Sequence, residues 1–230
     1  MRRCSIARGA HAPRALLLAL ALLIADGDVD AMQRRRTTAR KPPPPVPLKT
    51  EPAAVKCAEV LGTGVKTNAT YCFVLAGRDP AEGVVISVPP HSGEATLTFD
   101  LHNRHTYSEE EMRAGRNFAR YSAVVGVLTM KGELLDRGAV QTEFRTVRDL
   151  FERIAGGAGP GGVKAVAPLG REQVSIPLPE GVDQVSLLGE VFEAVSAAGR
   201  ETAAPGRPVA LVSNVNVAYR PAPVKPKGRK

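Results

Sequence analysis

EATLTFDLHNRHTYSEEEMRAGRNFARYSAVVGVLTM, Glu94 to Met130, reads as strand, polar loop with a short helix, strand. Ala95, Leu97, Phe99 and Leu101 alternate with Thr96, Thr98, Asp100 and His102, the period-two pattern of a half-buried strand. Tyr121 to Met130 is almost continuously apolar, which predicts a strand buried on both faces or central to its sheet. Between them, His102-Asn103-Arg104-His105-Thr106-Tyr107-Ser108-Glu109-Glu110-Glu111 is the most polar run in the chain and the first place to look for function. Ser108 with Glu111 makes a capping box, and Glu109 and Glu110 suit the positive end of a short helix reaching about Ala114.

Outward from this stretch the same pattern repeats. Strands are predicted over residues 57–61, 70–75, 84–88, 134–144, 163–167, 173–178, 184–190 and 209–219. Turn residues separate them, among them Gly62-Thr63-Gly64, Arg78-Asp79-Pro80, Lys131-Gly132-Glu133 and Pro179-Glu180-Gly181. Arg137-Gly138 is read as a bulge. Thr146 with Asp149 resembles a capping pair ahead of a helix that presents Leu150, Phe151 and Ile154 and stops at Gly156-Gly157. Periodicity leaves residues 192–198 open between a short helix and more strand. In the last strand Val209, Leu211, Ser213, Val215, Val217 and Tyr219 are expected on one side. The fold class is all-β: a two-sheet β-sandwich, immunoglobulin-like or related, with one or two short helices.

The ends differ from the middle. Arg2, Arg3, Arg8 and Arg14 precede an apolar run from Ala15 to Ala25, about half the ~20 residues that a membrane-spanning helix needs. Residues 1–31 therefore read as a signal peptide, with Val29 and Ala31 at the cleavage positions; a cut after Ala25 is the second possibility. Residues 32–54 read as a basic, Pro-rich disordered linker, residues 55–220 as the sandwich and residues 221–230 as a basic disordered tail. Cys57 and Cys72 are left as an even pair in an oxidising compartment and are expected to be bridged across two adjacent strands.

The net charge of +8 belongs to the tails. From Cys57 to Arg220, 16 Lys and Arg stand against 19 Asp and Glu. A nucleic-acid-binding domain carries its basic residues on the fold, so no nucleic acid is expected as a partner. Gly156 to Gly162 runs from helix into strand without a following Lys-Ser or Lys-Thr, which excludes a phosphate-cradling loop. Ser92 lacks a nucleophile elbow and no triad can be ordered, so no catalytic residue is assigned. With no Trp, and only Tyr107 of four Tyr in a loop, aromatic stacking on carbohydrate is not supported.

These observations favour an exported, non-catalytic binding or structural module at the cell envelope, periplasmic or secreted, with no cofactor. Its contact residues would be His102, Asn103, Arg104, His105 and Tyr107, Arg and Tyr being favoured at interfaces. The expected partner is a protein, or an anionic envelope polymer or membrane surface met by the basic tails. The alternative is a metal-dependent, hydrolytic site built on Asp100, His102 and His105, the two histidines being separated by two residues.

Overall fold

The computed structural model describes residues 46–104, 109–144, 152–155, 163–166 and 171–223. Their strands are β1 Lys49–Pro52, β2 Ala54–Lys56, β3 Glu59–Gly64, β4 Thr70–Leu75, β5 Val84–Ser87, β6 Ala95–Asn103, β7 Ala119–Thr129, β8 Leu134–Phe144, β9 Glu152–Ala155, β10 Val163–Val166, β11 Arg171–Leu178, β12 Gln184–Ser196, β13 Gly199–Thr202 and β14 Pro208–Tyr219. One short helix, α1 Glu109–Arg113, and a 3-10 turn at Pro80–Glu82 accompany them. One sheet runs β10-β9-β3-β4-β14-β6-β11, with β1 also on β14; the other runs β2-β5-β12-β7-β8, with β13 also on β12. The chain is a two-sheet β-sandwich, and every strand pairing in it is antiparallel.

The core lies between the sheets and follows directly from the alternation. Leu97, Phe99 and Leu101 of β6 meet Ala123, Val125 and Val127 of β7, together with Leu187 and Phe192 of β12 and Val212 and Val217 of β14. β7 lies between β12 and β8, so the apolar run is central to its sheet. Its outward side is less buried than the run suggests: Ser122 and Val124 are half-buried and Arg120 is exposed. At Gly126 a Cβ would come within 2.7 Å of Glu190 Oε1, because the Glu190 carboxylate crosses this strand to pair with Arg137 on β8.

Several expectations change. Residues 49–54 are expected in the linker, yet β1 pairs with β14, and β2, which begins at Ala54, pairs with β5. Their backbone groups find ladder partners, which a Pro-rich composition does not forbid on an edge. The helix expected after Thr146 gives way to strand over Glu152–Ala155; Thr146, Asp149, Leu150 and Phe151 lie outside the described residues, as do Gly156 to Gly162 and Ser108. Residues 192–196 continue β12. The bulge expected at Arg137-Gly138 sits instead at Leu135, where Leu134 and Asp136 pair with successive β7 residues. Gly138 serves close packing, since a Cβ there would lie 2.9 Å from Val174 Cγ2.

β14 departs most from its sequence pattern. Register shifts between Pro208 and Ala210 and between Ser213 and Asn216 insert extra residues. Ala210 and Val212 therefore join the main core, whereas Leu211 packs with Tyr71 on the outer side of the sheet. Asn214 takes φ +52°, a left-handed conformation that Asn tolerates better than most residues.

Cys57 and Cys72 are bridged, with Cα atoms 5.5 Å apart. Cys57 lies between β2 of one sheet and β3 of the other, so the bridge fastens the point where the chain changes sheets. Before it, residues 49–56 form a strap over the sandwich edge. Lys49 and the Tyr219 hydroxyl both engage Glu51. The hydrogen bond from Lys49, then that from Tyr219, holds the Glu51 carboxyl below its ordinary 4.5. Such a group stabilises the fold above the carboxylate range and ceases to do so as pH falls through its depressed value. The amides of β1 should accordingly lose hydrogen-exchange protection in acid before those of β7 do. In Glu51→Gln that acid step should vanish; if it persisted unchanged, the strap would not be held by this carboxylate.

Candidate functional site

The end of β6 sorts the predicted site residues by the parity of the strand. Asp100 and His102 face outward and Asn103 faces the core. The His102 Nε2 lies 2.8 Å from Ser213 Oγ, and its ring centroid is 5.3 Å from that of Tyr71. The Asp100 carboxylate accepts from Asn214 Nδ2 at 2.7 Å and Arg171 Nη1 at 3.2 Å. Both groups are buried, and their partners come from β4, β11 and β14. The structure thus brings Asp100 and His102 to one face, where each is engaged by its neighbours. His105 and Tyr107 lie outside the described residues, and among the described residues no three His, Cys, Asp or Glu group to hold a metal ion. His91 lies at the other end of β6, its ring nitrogens 2.9 Å and 3.3 Å from the Pro89 and Pro179 carbonyl oxygens.

Asn103 and Arg104 reach across to the facing sheet. Asn103 Nδ2 donates to Thr142 Oγ1 at 2.8 Å and to the Tyr121 carbonyl at 3.2 Å, tying β6 to β8 and β7. Asn103 is fully buried, and these two bonds satisfy its amide nitrogen and bridge the sheets at this end, whereas Oδ1 accepts no hydrogen bond among the described residues. Arg104 then lies with its guanidinium carbon 4.7 Å from the Phe192 ring centroid, while Nη2 donates to Glu201 Oε1 at 2.9 Å. Stacking on an aromatic face suits the weakly hydrated guanidinium.

Arg104 forms part of the lining of a cavity of about 300 Å³ at the mouth between the sheets. Tyr121 of β7 and Ala194 of β12 line it, as does Phe118 ahead of β7. Arg116 follows α1 and holds Glu111 through two bonds, Nε to Oε2 at 3.0 Å and Nη2 to Oε1 at 2.9 Å. Those bonds keep the Glu111 carboxyl below its usual range, so it is a fixed anion and not a proton donor near neutrality. The β12–β13 hairpin closes the cavity with Arg200 and Glu201. Of the predicted residues, Arg104 lines this mouth and Asn103 supports it. Arg116, Phe118, Arg200 and Glu201 were not foreseen, because the hairpin that carries two of them has no alternating pattern; the Gly199 turn was its one signal.

No family model matches the chain, and no curated protein matches it. Among solved structures, a chain of the T13 IBDV viral particle aligns over 76% of this chain and 41% of that one, at 10% identity and a TM-score of 0.19. So slight a likeness carries no argument, and what stands as identification is the architecture itself, a disulfide-bridged two-sheet β-sandwich.

Proposed function

We propose that the chain is an exported, non-catalytic binding module of the cell envelope, held against an anionic surface by its basic tails. One observation carries this reading. Lys49, where β1 begins, is paired with Tyr219, where β14 ends, so both basic segments join the sandwich at neighbouring points. Charges on two segments that leave the sandwich from neighbouring points would act on one anionic surface together, where their attraction adds up. The mouth lies at the opposite end: β6 starts beside the C-terminal part of β14 and ends beside its N-terminal part. Across nine residues of β6, about 30 Å at the usual rise, the module would be fastened below and open above. Export is supported by the bridged cysteines and by the apolar run after Arg14. Among the described residues no helix is long and apolar enough to cross a membrane.

The test is co-sedimentation of the mature protein with anionic phospholipid vesicles at low salt. Replacing Arg34, Arg35, Arg36, Arg40, Lys41, Lys225, Lys227, Arg229 and Lys230 by Gln should abolish it, as should raising the salt toward 1 M, where screening extends only about 3 Å. Retention of binding in the neutralised variant would end the tether reading.

A further inference from the structure

The mouth holds a guanidinium whose bonding capacity is mostly unused among the described residues. Arg104 has a side chain 21% exposed, and it is fixed on Phe192. A guanidinium carries five N–H donors. Nη2 donates to Glu201, whereas Nε is buried with no acceptor among the described residues. The partner acid is unlike it. Glu201 is 60% exposed and belongs to β13, a four-residue edge strand exposed at every position. An ion pair with so exposed a partner is weak, so Glu201 can leave without disturbing the core.

Two further features mark this end. Phe118 is 38% exposed beside the cavity and gives it an apolar wall. Arg200 reaches Glu193 only at 3.7 Å, beyond hydrogen-bond distance, and so retains its donors at the opening. Arg116, by contrast, is committed to Glu111 through both arms.

We propose that the mouth binds the carboxylate of an external ligand on Arg104 in place of Glu201, with the ligand's adjoining apolar group against Phe118. The inference rests on the binding-module reading and names the ligand class. Glu201 shows that the geometry seats a carboxylate. The two acids already lining the cavity, Glu111 and Glu201, disfavour a more highly charged phosphate. A volume of about 300 Å³ is at the small end for ligand sites and admits one terminal residue or a small aromatic acid.

The experiment is calorimetric titration of the full chain at low salt with three probes: N-acetyl-Ala-Phe, its C-terminal amide, and phenylacetate. The free acid should bind and the amide should bind at least about tenfold more weakly, the loss expected for a charge-assisted pair. Binding of phenylacetate as well would identify the carboxylate and ring as sufficient; binding of the peptide acid alone would identify a chain end. Either supports the site. Glu201→Gln should tighten binding by about threefold by removing the competitor. Arg104→Met should abolish binding. Arg104→Lys, which keeps the charge but loses the fork, should weaken it by about tenfold. Circular dichroism and the thermal midpoint of each variant report whether the fold is retained.

Equal binding of acid and amide would overturn the proposal. So would absence of binding by both acids to the full chain and to Glu201→Gln, or unchanged affinity in a folded Arg104→Met. Vesicle binding should be untouched by these substitutions. A failed mouth with intact vesicle binding rejects this inference alone, and the reverse result rejects the tether.

Discussion

Alanine at Gly189 should destabilise the sandwich by about 3 kcal/mol, the upper end of what overpacking a core costs. The added Cβ would lie 2.1 Å from Val209 Cγ2 and 3.1 Å from Cγ1, atoms of the facing sheet. Val209 is fully buried and β-branched, so χ1 has little freedom to carry the methyls away. The sheets would have to separate locally, and the neighbouring Leu187 and Phe192 contacts would loosen with them. In urea the midpoint should fall with the slope unchanged. Pairing Gly189→Ala with Val209→Ala should recover at least about 1 kcal/mol relative to the sum of the single changes, because the second removes what the first strikes. A Gly189→Ala protein within about 0.5 kcal/mol of the parent would show that the approach of β12 to β14 is not this close.

Loss of the Cys57–Cys72 bridge should be of similar size, about 3 kcal/mol for a loop of this length. Its effect should also be local in a way that the Gly189 change is not. With both residues changed to Ser, the strap of β1 and β2 keeps short ladders of four and three residue pairs. The β7–β12 ladder, which spans nearly the whole of both strands, does not depend on the bridge. Hydrogen exchange should therefore show the strap opening well below the global unfolding free energy, with β7 and β12 still protected. Uniform loss of protection across all strands would mean that the bridge supports the sandwich as a whole and not the strap.

Much of this architecture is legible in the sequence because an antiparallel sandwich writes its inner and outer faces in alternate residues. Ala95 to Asn103 shows it most clearly. The same parity that places Leu97 and Phe99 in the core places Asn103 there too and turns His102 out, so even the division of the polar run follows from counting by two. What fails is parity after a bulge. In β12 the shift between Gly189 and Val191 lets Leu187, Phe192 and Ala194 all face inward, and no period of two or 3.6 fits them. In β14 the even alternation from Val209 to Tyr219 conceals two such shifts. The strand at Glu152–Ala155 reads as helix because Thr146 with Asp149 has the sequence of a capping pair; pairing with β10 nearby and with β3, a long-range event, prevails over residues 152–155.

The site was half legible for a similar reason. Arg104 stands out as a cation in a polar run. That it would lie on Phe192, 88 residues later in the chain, depends on how β12 meets β6 across the core. Glu201 and Arg200 have no local signal beyond the turn at Gly199, whose φ of +124° excludes most other residues. A binding residue supplied by an edge hairpin is visible only once the hairpin's place in the sheet is known.

The pairing of Lys49 with Tyr219 has a mechanical consequence. Tension drawn between the two tails would load β1 and β14 from one end, in the geometry of a zipper, so the rungs Lys49–Tyr219, Thr50–Ala218, Glu51–Val217 and Pro52–Asn216 would yield one after another at low force. Peeling would continue through β2 and then halt at Cys57, where the covalent link to Cys72 carries the load into β4 in the middle of its sheet. The strap is in this sense a short extensible leash with a fixed stop, able to lengthen under a tug while the mouth at the far end keeps its shape.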